Sequence, residues 1–217
     1  AMQTRVDLPY TLTTFLACII GLLGGVGAVI FTRLIELVSE NSVDRVLDAE
    51  SSIAGNLLFV VPALGIFAAA WLTRKFAPEA QGHGVPEVIV AVARKEGIIR
   101  PRVSLVKVLA SALSIGTGGS VGREGPIVQI GASVGSTVGQ FFRLRRRNLK
   151  VLVAAGVAAG ISATFNAPLA GVIFASEIIL GSFALQHLTP IVLASVLADV
   201  VQQHIGEYGL SPVFRSL

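Results

Sequence analysis

The chain has 217 residues, 53% of them apolar and only 14% charged, with 23 glycines and a single cysteine. A soluble domain carries roughly 25% charged residues. The composition therefore excludes disorder and a disulfide scaffold, argues against an ordinary soluble α/β enzyme, and points to a membrane protein. Seventeen Lys and Arg against thirteen Asp and Glu give a net charge of +4, but the basic residues sit in short runs between apolar stretches. That is the pattern of membrane loops and gives no reason to expect a nucleic-acid partner.

In chain order, the uncharged runs 8–32 and 51–73 are each long enough for a full span, which needs about 20 mostly apolar residues. Runs 108–122 and 125–142 are shorter and flank Arg123 and Glu124. Run 151–176 is interrupted by Asn166-Ala167-Pro168, and run 178–198 by the stretch 181–190. These four read as broken or half-spanning helices. None alternates with period two, so helices rather than barrel strands are expected. Small residues at helical spacing, Gly21 with Gly25 and Gly131 with Gly135, predict close approach of helix backbones. The expected fold is an all-α membrane protein, a bundle of tilted and re-entrant helices forming one membrane domain over 1–217.

Loop charge gives an orientation. Residues 40–50 hold Glu40, Asp44, Asp48 and Glu50 against Arg45, whereas 74–75, 94–102 and 143–150 are basic. By the positive-inside rule the N-terminus is cytoplasmic, the first span leaves and the second returns. Loops 94–102 and 143–150 then lie on one side, so the chain between them goes up and comes back, turning within the membrane near 116–126. Such a turn is tolerated only where protein buries it or where it lines a cavity, and transporters place ion sites at such breaks.

That turn reads Gly116-Thr117-Gly118-Gly119-Ser120-Val121-Gly122-Arg123-Glu124-Gly125-Pro126. Glycines before a proline, followed by an uncharged run from Ile127, mark a helix start with free N–H groups and a positive dipole end, which suits an anion. Gly82-His83-Gly84-Val85-Pro86 repeats this logic. Two such starts predict two half-helices aimed at one anion. Glu124 is costly inside a bilayer unless paired, hydrated or functional. At an anion-binding helix start its carboxylate occupies the place a permeant anion needs and acts as a gate that protonation opens, which links anion passage to proton uptake. The alternative is a structural Arg123–Glu124 pair.

Gly82-His83-Gly84-Val85-Pro86, Gly122-Arg123-Glu124-Gly125-Pro126 and Phe165-Asn166-Ala167-Pro168-Leu169-Ala170-Gly171, in this order and spacing, resemble the CLC family of chloride channels and chloride/proton antiporters. The resemblance runs over essentially the whole chain and covers only the first of the family's two inverted-topology repeats, so as it stands the chain corresponds to half a pore. It implies that Glu124 is similar to the family's external gating glutamate. Gly82, His83, Gly84, Val85 and Pro86, with Gly125 and Ile127, match anion-contacting positions; Arg123 is expected either to attract anions to the vestibule or to pair, and the Phe165–Gly171 motif is read as structural support.

Two departures stand out. The family commonly has serine, or proline in nitrate-preferring members, where this chain has His83, which can donate to an anion and titrates near neutrality. The family's antiporters commonly end the helix after the Asn-Ala-Pro motif with two glutamates, the second relaying protons. Here the pair is Glu177-Ile178, which leans toward channel-like passive conduction, with chloride/proton antiport as the alternative and Glu177 as a candidate on a proton pathway. The resemblance also implies a homodimer, with a surface expected near 190–201, chloride or another small anion as substrate, no cofactor, and a place in the cell (inner) membrane. A reading from another class is an intramembrane serine hydrolase: Gly118-Gly119-Ser120-Val121-Gly122 fits a nucleophile elbow, with His83, His187 or His204 as base. No strand precedes it and no positioned base is evident. The three histidines have no metal-ligand spacing.

Overall fold

The computed structural model describes residues 9–47 and 54–205, so Asp48 and Glu50 of the acidic loop lie outside the described residues. Among the described residues the regular elements are helices and there is no strand. Helix α1, Tyr10–Ser39, continues through a π-helical turn, Glu40–Asp44, into α2, Arg45–Leu47; α3 is Ala54–Phe76. Next come α4, Val85–Arg94, and the pair α5, Pro101–Gly116, and α6, Glu124–Phe141. The chain closes with α7, Arg146–Phe165, α8, Pro168–Phe174, a π-helical segment, Ala175–Leu180, and α9, Leu185–Ile205.

Among the described residues four stretches are long and apolar enough to cross a membrane: Tyr10–Leu47, Phe59–Phe76, Arg146–Phe165 and His187–Ile205. The first extends beyond the uncharged run that predicts it. Arg33 and Glu36, one turn apart, form an ion pair of 3.6 Å on an exposed face, so neither charge stops the helix. The pair α5 and α6 forms the re-entrant unit, with the turn confined to 117–123. Its two basic loops meet: Glu96 and Arg146 form an ion pair. Ser136 Oγ donates to the Gly97 carbonyl at 2.6 Å and accepts from the Ile99 N–H at 2.8 Å.

The centre of the bundle is α7, whose residues from Val151 to Thr164 are all buried. A helix apolar on every side belongs in the interior, and its Ala and Gly content lets neighbours come close. Against α6 the contact is backbone on backbone: a Cβ added at Gly131 would overlap the Gly156 carbonyl, and one at Gly156 the Gly131 carbonyl. At Gly21 and Gly25, α1 meets the Ala194 and Ala198 carbonyls of α9 in the same way. Overpacking such a contact costs about 1–3 kcal/mol. Gly156→Ala is expected to lower the detergent-solubilised protein's melting temperature, whereas an unchanged midpoint would mean that the two helices separate freely.

Two breaks follow α7. Asn166 caps it in the left-handed region at φ 52°, a conformation asparagine tolerates, and Pro168 then opens α8. Ser195 Oγ donates to the Pro168 carbonyl at 2.9 Å, tying this break to α9. The second break is narrower than the expected 181–190: α9 begins at Leu185 and contains Pro190. A proline this near the helix start removes few hydrogen bonds, and its ring is fully buried in the core. The expected association surface on α9 is also partly consumed internally. Ile191, Ala194, Ser195 and Ala198 are buried, leaving Val192, Leu193, Val196 and Val200 as the outward face.

Candidate anion site at two helix starts

The starts of α4 and α6 meet. Gly84 caps α4 at φ 97° and Gly82 has φ 91°, both in the left-handed region that favours glycine. A Cβ at Gly84 would overlap the Gly125 carbonyl, and one at Gly125 would overlap the His83 carbonyl. The two glycine turns therefore touch main chain to main chain, bringing two positive dipole ends to one place. A cavity of about 830 Å³ adjoins them, lined by His83, Lys107, Ser120, Glu124 and Gly125 among others.

Glu124 is the first residue of α6 and is exposed in the isolated chain. Its carboxylate folds back against Gly122, where a Cβ would collide with it. Among the described residues no ion pair joins it to Arg123, the residue that caps the helix. The carboxylate thus lies at the N-terminal end of α6 with no cation held against it.

Helix geometry sorts the donors. The first N–H groups of a helix have no partner within it, and proline lacks the group. The N–H of Ile127 already bonds the Arg123 carbonyl at 3.1 Å. Ile127 is therefore a correction to the expected donor set: it closes the first turn and buries its side chain. The free donors on α6 are Glu124 and Gly125. At α4 the Glu87 carboxylate accepts from the Gly84 N–H at 2.8 Å, so this helix start is partly occupied by its own side chain. Val85 keeps a free N–H, and Pro86 contributes none.

Two side chains the sequence reading passed over enter here. One is Glu87. The other is Lys107, 5% exposed, whose ammonium donates to the carbonyls of Ala80 at 2.9 Å and Gly82 at 2.8 Å. The signal was legible: a single lysine between Val106 and Val108, inside a helix of apolar and small residues, has to find carbonyls or a carboxylate.

Glu177, Ile178, His187 and His204 are not among the residues lining this cavity. Glu177 and Ile178 are both exposed on the π-helical segment Ala175–Leu180, with Ile178 in the second position of the pair. Ser120 and His83 line the same cavity without a hydrogen bond between them, while His187 and His204 belong to α9. No nucleophile–base pair of the kind a serine hydrolase needs is assembled among the described residues.

Apolar spans, a re-entrant pair and interrupted helices define an all-helical, multi-pass integral membrane protein. Comparison with known proteins gives the family. The voltage gated chloride channel family matches residues 64–216. The H(+)/Cl(-) exchange transporter ClcA of Vibrio cholerae serotype O1 is 34% identical over 192 residues, which is 86% of this chain and 41% of that protein. ClcA of Salmonella schwarzengrund is 37% identical over 166 residues, 75% of this chain and 35% of that protein. Among solved structures, a slow cyanobacterial Cl−/H+ antiporter superposes with a TM-score of 0.80 at 26% identity, over 94% of this chain and 48% of that one. A CLC-type fluoride/proton antiporter gives 0.78 at 27%, over 97% and 52%. The chain belongs to the voltage-gated chloride channel (CLC) family. It spans less than half the length of the ClcA relatives it matches.

Proposed function

We propose that this chain carries the first-repeat half of a chloride/proton exchanger, with the anion received where α4 and α6 begin. The observation that carries the reading is the backbone contact between the two glycine turns, with Glu124 on the first turn of α6 beside the shared cavity. Free N–H groups and dipole ends attract an anion without a full charge that would hold it too long. A carboxylate in the same place competes with the anion, and its neutralisation by a proton removes the competition.

The sequence lean toward passive conduction rests on Ile178. Relatives matched over most of this chain are named exchangers, and two of the similar structures are titled antiporters, so exchange is the better-supported mode. With an aliphatic residue at 178, the proton then reaches Glu124 by a route that uses Glu177 or water. His83 lines the cavity at the position where the family commonly has serine, and gives this site an imidazole donor in place of a hydroxyl. By the positive-inside rule the basic loops favour a cytoplasmic N-terminus in the cell membrane, and the outward face of α9 suits a second copy in a homodimer.

The test is coupling in liposomes holding the full-length protein. Chloride is driven down its gradient while internal pH is recorded, with and without a potassium shunt. Protons moving uphill at a fixed ratio to chloride are expected. Chloride flux with no proton movement would return the assignment to a channel, with Ile178 as the physical reason.

A further inference from the structure

We infer that Lys107 is a positioning residue for the anion loop, fixing the main chain at 80–84 and bringing a cationic side chain to the cavity. This rests on the reading of the cavity as an anion site. Lys107 projects from α5, yet among the described residues its hydrogen-bond partners are carbonyls of the segment preceding α4, 25 and 27 residues earlier in the chain. It therefore links the re-entrant pair to the α4 turn by side chain, where α6 does so by backbone contact.

The consequence is directional. The C=O and N–H of a trans peptide unit point opposite ways, so pinning the Gly82 carbonyl on Lys107 also fixes the direction of the His83 N–H. Glycine at φ 91° has the freedom to turn this unit over, and a flipped unit would present a carbonyl where a donor is wanted. Charge-assisted hydrogen bonds are about twice as strong as neutral ones, so an ammonium holds the unit better than a hydroxyl or amide would.

The charge has a second use. An ammonium has three donors, and two are engaged. Among the described residues the third has no protein partner, and Lys107 lines the same cavity as Glu124 and His83. Glu87, which holds the Gly84 N–H, is close enough to act on Lys107 electrostatically and balances part of the charge. Attraction of the anion without trapping follows from that partial balance.

The experiment compares K107M, K107Q and K107R in the full-length protein in liposomes, measuring chloride flux against chloride concentration, with Glu124→Gln run in parallel. K107M keeps the apolar stem and removes donors and charge; its chloride KM is expected to rise about tenfold, with a smaller change in kcat. K107Q, a donor without charge, should fall between K107M and the parent. K107R should recover most of the affinity. An unchanged chloride KM in folded K107M overturns the role of Lys107 while leaving the anion site standing, provided that Glu124→Gln alters flux. No effect from either substitution would instead remove the anion site itself. If K107M fails to fold, K107Q and K107R decide: equal KM values refute the charge, and a KM raised only in K107Q supports it.

Discussion

Glu124→Gln is expected to leave chloride flux running, fast and nearly independent of pH, while proton movement stops. On the gating role proposed for Glu124, a charged carboxylate competes with the anion and a neutral one does not, so the parent's flux should rise as pH falls. Glutamine mimics the neutral form at every pH. Coupling energies between linked sites typically correspond to 5- to 150-fold, and a flux ratio of roughly tenfold between parent and variant at neutral pH is the expected size. The measurement is a pair of pH–flux curves in liposomes. A variant whose curve retains the parent's slope and rate would show that Glu124 is not the gate.

The largest structural effect should come from Gly125→Ala. Its Cβ would overlap the His83 carbonyl, which belongs to the main chain and cannot rotate away. The turns at 82–84 and 122–125 have to separate, at a cost of about 1–3 kcal/mol for overpacking, and the donors lose their common focus. Chloride affinity should fall about tenfold per 1.4 kcal/mol of lost anion binding, and chloride flux below saturation should fall with it. Gly27→Ala is the matched control. That glycine is in mid-helix with nothing near its missing Cβ, and alanine there favours the helix by about 1 kcal/mol. If both variants conduct alike, contact between the two turns has no bearing on the anion.

Much of this arrangement is legible before any coordinates, and the reasons are local. Span length, charge at loop ends, and glycine next to proline act within a few residues, so the α5–α6 turn and the Asn166 break can be read directly. Tertiary packing decides the rest. Pro190 looks like a terminator, yet it lies within α9 because its ring is buried. Arg33 and Glu36 look like a boundary, yet the helix carries them on its exposed side. At the site, the sequence marks Glu124 and the glycine turns, but not that Ile127 has spent its N–H or that Glu87 caps the opposite helix. Those are hydrogen-bond accounts that only geometry closes.

The shortness of the re-entrant limb also bears on electrical behaviour. Helix α5 has 16 residues, about 24 Å at the usual rise, against a hydrocarbon core of about 30 Å. A limb of that length that starts at one surface ends short of the other. An ion at the turn has most of the membrane potential between itself and one solution, and little between itself and the other. A full crossing is worth about 2.3 kcal/mol per elementary charge at 100 mV. With the anion at the proposed site, loading from the distant side should respond more steeply to voltage than loading from the near side. The length of a single helix would thus make the two faces of the protein electrically unequal.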